Sequence, residues 1–341
     1  MPTPTIPAGN LFMNATLYTG TGATATITNG AAGQAFQPDL VWIKVRSTGY
    51  SHRLVDSVRG ATKLLYSDLT NAESTDAASL TAFNSNGFSL GSAAGTNDTS
   101  QTFVGWQWKA GGTAVTNTSG TISSQVSANT TSGFSVVTYT GAGSTGTIGH
   151  GLGVAPSMII VKPRNVVDNW YCYHASLGNA QAVYLNLTNA SGASPSWNST
   201  SPTSTLFTVA SNLVTNTNTY VAYCWAPIAG FSQFGSYTGN GSADGPFVYT
   251  GFRPKFVMIK RTDSSTNGDW RILDSSRDTY NVSQNALYAN LALAEDSSVT
   301  VEDFLSNGFK LRTAINGYNG SGATYIYAAF AENPFKYANA R

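Results

Sequence analysis

The chain of 341 residues has only 10% charged residues and a net charge of +1, beside 41% hydrophobic and 12% aromatic residues. So much apolar content excludes a chain that never packs, and the missing positive charge removes the attraction on which nucleic-acid binding rests. No run approaches the roughly 20 apolar residues of a membrane span, so membrane insertion is not expected.

The opening residues MPTPTIPAGNLF lack the basic and apolar regions of a secretory signal. The first element is a strand ending in Tyr-Thr-Gly-x-Gly at Tyr18. After it come a Pro-led apolar run, LVWIK, ending at Lys44, then RLVDSVRG from Arg53, FNSNGFSL from Phe83 and TFVGWQWKAGG from Thr102. The same order then recurs. Tyr139, SMIIVK to Lys162, YCYHASLG and TYVAYCWAPIAG from Thr219 form a second copy. Tyr237, FVMIK to Lys260, RILDSSRD from Arg271, FLSNGFKL from Phe304 and TYIYAAFAENPF from Thr324 form a third. Lys44, Lys162 and Lys260 lie 118 and then 98 residues apart, and Pro38, Pro156 and Pro254 repeat both spacings. Three internal repeats therefore organise the chain.

Short β-branched and aromatic runs bounded by Gly, Pro, Asn and Ser read as strands, and the Asn-Gly pairs at Asn86 and Asn307 read as hairpin turns. Because the LVWIK-type runs are apolar at nearly every position, they are expected to be central strands covered on both faces. The expected fold is all-β, with three tandem antiparallel β-sandwich modules of jelly-roll or lectin-like type. Module one spans 1–112, a Ser/Thr-rich linker 113–132, module two 133–230 with an excursion at Ser191 to Thr205, and module three 231–341. Only ALYANLALAEDS, from Ala286 to Ser297, reads as a helix, of about three turns. Cys172 and Cys224 read as buried free thiols, with a disulfide between adjacent strands as the alternative.

Groups able to do chemistry are sparse. His52, His150 and His174 have no metal-type spacing, no catalytic residue is assigned, and neither a metal nor a cofactor is expected. The loop Thr262 to Trp270 offers Asp263, Asn267 and Asp269 but lacks calcium-loop spacing. Asp56 with Arg59, and Asp274 with Arg277, are expected to hold turns by charge-assisted bonds; the middle copy has His174 and Leu177 there. Glu295 with Asp296, and Glu302 with Asp303, read as solvated faces, and the three repeated lysines as chains carrying their charge into water. Asn117, Asn198 and Asn281 begin Asn-x-Ser/Thr triplets that composition alone produces. Trp197 with Asn198, and Tyr318, lie in Asn- and Ser-rich loops where an aromatic face could stack on a sugar ring, or else anchor the loop.

The phrases YTGNGSADGPFVYTGFRPKFVMIKRTD, DSSRDTYN, DFLSNGFKLR and YIYAAFAENPF, with GHGLGVAPSMIIVK and HASLG earlier, resemble a family of repeat-containing virion structural proteins of mainly aquatic tailed bacteriophages. The resemblance covers nearly the whole chain. It implies a non-enzymatic particle protein on the virion exterior, with other virion proteins as partners. Its expected setting is a tail fibre or tail tip contacting a host surface glycan, in a homo-oligomer for which a trimer is the candidate. A capsid decoration or head-fibre protein is the alternative, and a polysaccharide-degrading enzyme a third.

Overall fold

The β-branched and aromatic runs of every repeat lie in strands in the computed structural model of the chain, which describes residues 9–31 and 34–332. The segment 1–8 read for a targeting signal, and the tail 333–341 assigned to module three, fall outside it. Module one contributes β1 (Met13–Thr19), β2 (Ala25–Thr28), β3 (Leu40–Val45), β4 (Arg53–Asp56), β5 (Lys63–Leu64), β6 (Ser74–Thr75), β7 (Leu80–Asn84), β8 (Gly87–Leu90) and β9 (Thr102–Trp108). Next come β10 (Val115–Asn117), β11 (Ser124–Asn129), β12 (Phe134–Thr140), β13 (Gly146–Gly149), β14 (Met158–Pro163), β15 (Tyr171–His174), β16 (Gln181–Tyr184), β17 (Gly192–Ala193), β18 (Leu206–Val209) and β19 (Thr219–Trp225). Module three holds β20 (Ser232–Thr238), β21 (Phe247–Tyr249), β22 (Pro254–Arg261), β23 (Trp270–Asp274), β24 (Leu287–Tyr288), β25 (Glu302–Leu305), β26 (Gly308–Leu311) and β27 (Thr324–Ala331).

Each module is an antiparallel sandwich with one repeated main sheet, ordered β1-β9-β3-β4, β12-β19-β14-β15 and β20-β27-β22-β23. A smaller sheet covers the outer face of each: β2-β8-β7, β13-β18 and β21-β26-β25. Alternation along a strand sends successive side chains to opposite faces. In β3, Val41, Ile43 and Val45 accordingly join the outer core of module one, while Leu40 and Trp42 turn inward. This two-sided burial is why the LVWIK-type runs have no polar face.

The inward faces do not end at module boundaries. Leu40 and Trp42, Met158 and Ile160, and Phe256 and Met258 belong to one continuous core. At its centre Trp108 packs edge-on against Trp225 and Phe330, with ring centroids 6.1 and 5.7 Å apart. The three sheets are wrapped around a common axis, so the repeats form a pseudo-threefold body rather than beads on a string.

The Tyr-Thr-Gly-x-Gly turn has the same structure three times. Tyr18, Tyr139 and Tyr237 stack on Phe103, Tyr220 and Tyr325 at 4.9, 4.8 and 4.9 Å. Their hydroxyls donate to the carbonyls of Thr96, Leu213 and Tyr318. A Cβ on the first glycine, Gly20, Gly141 or Gly239, would lie 2.0 to 2.3 Å from a backbone carbonyl oxygen, so only glycine fits.

Several expectations are corrected. The linker 113–132 contains β10 and β11, and β11 pairs along its whole length with β12; its alternating Ser, Gln and Val side chains suit a strand with one covered face. No helix forms over Ala286 to Ser297, where β24 pairs with β23 instead and Leu287 and Ala289 enter the core. Tertiary burial overrides helix propensity there. The hairpin turns centre on Ser85-Asn86 and Ser306-Asn307, because Asn84 pairs with Gly87 and Leu305 with Gly308. Gly87 and Gly308 are needed instead for close approach of the next strand, since a Cβ would lie 1.9 and 2.1 Å from the carbonyls of Ile27 and Val248. Cys172 faces the central core and Cys224 the outer core of module two, on opposite faces of one sheet, and both thiols are free.

Candidate functional site

His52 and Trp170 immediately precede β4 and β15, and Trp270 opens β23. His52 Nδ1 accepts from Trp42 Nε1 at 2.8 Å, so its Nε2 donates to the carbonyl of Tyr288 in module three, also at 2.8 Å. Trp170 Nε1 donates to Tyr66 of module one, and Trp270 Nε1 to Tyr184 of module two, both at 2.8 Å. Every module therefore bonds one neighbour in the same rotational sense, and the ring closes.

The repeated lysines follow the same sense. Lys44 reaches the carbonyl of Ala292, Lys162 that of Thr70 and Lys260 that of Thr188, at 3.2, 3.2 and 2.9 Å. All three are fully buried, which corrects the expectation that they carry charge into water. Burial pulls Lys44 and Lys162 down to about 8 and Lys260 to about 7. An ammonium caps several carbonyls at once, so the strand ends are satisfied without solvent.

At two junctions an ionic bridge reinforces the ring. Asp56 Oδ1 accepts from the Arg59 backbone at 2.8 Å and Oδ2 from Tyr223 of module two at 2.8 Å. Arg59 also binds Glu73, and Glu73 in turn receives a two-pronged contact from Arg164 of module two, at 2.9 Å for each prong. The junction of modules three and one is its copy. Asp274 holds Arg277 and accepts from Trp106 Nε1 at 2.9 Å, while Glu295 joins Arg277 to Arg46 of module one. The Asp-Arg pairs are thus buried and close turns, and each also docks a neighbouring module. Glu295, read from sequence as solvated, is a bridge; its donor Arg46 lies in another module and is invisible in a local reading.

The third junction, between modules two and three, has none of these charges. Where the others have Asp, Arg, Glu and Arg, it has His174, Leu177, Ser191 and Thr262. Its backbone frame persists: Ser191 donates to the carbonyl of Thr262 at 2.8 Å, as Glu295 does to Arg46 and Glu73 to Arg164. His174 Nε2 donates to the carbonyl of Tyr327 at 3.2 Å, replacing the contact that Asp makes elsewhere, since Ala328 offers no side-chain donor. Loss of three long charged side chains leaves a cleft of about 380 Å³, lined by Leu177, Ser191, Thr262 and the ends of β20 and β27. Tyr325 and Ile326 are its buried floor, Tyr237 stands half-buried, and Ser176, Gln181, Ser236, Thr238 and Thr324 are exposed at its rim.

The loop aromatics singled out from sequence do not meet in this cleft. Trp197, in a short 3₁₀ turn with Asn198 following it in left-handed backbone, is 2% exposed and packs edge-on against Tyr173 at 5.8 Å. Tyr318 is 3% exposed beneath the Arg271 guanidinium, 4.8 Å from its ring. Both rings anchor their loops, and Tyr318 also borders a separate cleft of about 180 Å³ with Arg271 and Tyr288. Asn198 is exposed but does not line the cleft. Glu302, read as solvated, is fully buried with both carboxyl oxygens unpartnered. Among the described residues, no group of three His, Cys, Asp or Glu side chains gathers as metal ligands would.

The fold and this junction define a single-chain, pseudo-threefold β-sandwich protein whose symmetry is broken at one uncharged junction. The chain belongs to the family described as Domain of unknown function (DUF7483), whose model matches residues 8–334. No match is found among curated proteins.

Proposed function

We propose that the chain is a non-enzymatic structural protein of the exterior of a tailed-phage particle, in a tail fibre or tail tip that meets the host surface. The observation that carries this reading is the closed ring. Three repeats make one rigid body whose cohesion rests on buried bonds, and an exterior poor in charge loses little to changing salt. Its partners on this reading are other virion proteins, further copies of the chain and a host glycan. Against a depolymerase stands the placement of the candidate carboxylates: Glu295 is committed to two arginines, and Glu302 is sealed away from any cleft.

Capsid decoration is the second reading, favoured by one observation. Among the described residues no helix exceeds four residues, so none supplies the coiled-coil stem common in fibres. Immunogold electron microscopy of intact particles tests both. Label on tail fibres or the tail tip supports the first, label over the head replaces it with the second, and unlabelled particles overturn both.

A further inference from the structure

From the broken symmetry of the ring, we infer that the cleft between modules two and three binds a neutral carbohydrate. At the two other junctions Arg-Glu-Arg bridges occupy the equivalent positions, and the cleft of about 240 Å³ on the corresponding strand ends of module two keeps Arg164 in its lining. Here the three bridge side chains are replaced by Leu177, Ser191 and Thr262, while the backbone bond between the last two is retained. The space is therefore a property of a few side chains on a rigid frame. Its volume of about 380 Å³ falls in the roughly 300–1,000 Å³ range of small-molecule sites.

The lining selects the ligand class. The half-buried Leu177 and Tyr237 offer the apolar surface of the cleft to the C–H face of a sugar ring, and the exposed Ser176, Gln181, Ser236 and Thr238 offer both donors and acceptors to its hydroxyls. No charged side chain lines the cleft. The nearby cations are already committed, Lys260 to the carbonyls of Thr188 and Gly268 and Arg261 to both oxygens of Asp263. An anionic sugar would lose hydration there without a counter-charge, so neutral hexoses are favoured over hexuronates.

Calorimetric titration and saturation-transfer NMR of the full chain with gluco-, galacto- and mannotetraose, and with a hexuronate tetrasaccharide as counter-probe, test this. At least one neutral tetrasaccharide is expected to bind, with hexuronate at least tenfold weaker. Rebuilding the bridge with Leu177→Arg, Ser191→Glu and Thr262→Arg together should fill the cleft and lower affinity at least tenfold without lowering the melting temperature. Should that variant fail to fold, Ser236→Leu, on an exposed strand position, supplies the same block. Binding of no neutral tetrasaccharide, preference for hexuronate, or affinity unchanged in a folded blocking variant would overturn the inference. Labelled particles without sugar binding defeat the cleft alone; sugar binding without label defeats the particle reading alone.

Discussion

Glu302 is the least compensated side chain of module three. It pairs with Leu311 as the buried Leu80 of module one pairs with Leu90, has no hydrogen-bond partner, and burial together with nearby Asp278 and Asp303 pushes its carboxyl well above the usual range. The folded chain therefore keeps a proton that the unfolded chain loses above pH 4.5, and stability falls as pH rises from there toward the raised value. Glu302→Met, similar in length and apolar, should raise the melting temperature, with a gain that grows from pH 5 to pH 7; thermal scans at both values check this. The buried lysines act in the opposite direction. With folded values near 7 and 8, the unfolded chain holds more protons between those values and 10.5, so stability should rise with pH in that window. In the Glu302→Met background the urea midpoint should increase from pH 7 to 9.5, and Lys260→Met should flatten the increase.

At the scale of elements, junctions rather than sheets distinguish the three modules. Glu73→Gln leaves Arg59 and Arg164 without their shared carboxylate between β4, β5 and β14, and should cost about 3 kcal/mol in urea unfolding. Ser191→Ala at the uncharged junction removes one hydrogen bond to Thr262 and should cost only about 1 kcal/mol. Equal losses would mean that the bridges add nothing beyond the common backbone frame. Trp170→Phe keeps the ring in the core but abandons the carbonyls of Tyr66 and Leu69, a loss of about 1–2 kcal/mol measurable in the same way.

For the whole molecule, a shared core implies shared stability. Inner faces carrying Trp42, Ile160, Met258 and the Trp108–Trp225–Phe330 cluster are covered only when all three modules are present. Calorimetry should show one transition with equal calorimetric and van't Hoff enthalpies. Three resolved transitions would show that the modules fold independently. Residues 231–332 expressed alone should expose Phe234, Phe256 and Phe330 and fail to give a cooperative transition.

The principal strands, the Tyr-Thr-Gly-x-Gly turns and the threefold repetition were legible in the sequence because they depend on neighbouring residues, whereas β10, β11, β24 and the exact hairpin turns were not, since pairing across the sheet decides them. Burial of the LVWIK-type strands on both faces was legible too, since a strand with no polar position has no face for water. The destination of long polar side chains was not. Lys44, Glu295 and Arg164 look like surface residues in any local window, and their partners Ala292, Arg46 and Glu73 lie in another module. The cleft was equally hidden, because it arises from what Leu177, Ser191 and Thr262 lack relative to distant counterparts. Local chemistry determined what the modules are; the closing of three sheets on one core decided how they bond and where they leave space, because that packing brings together residues from 71 to 249 positions apart.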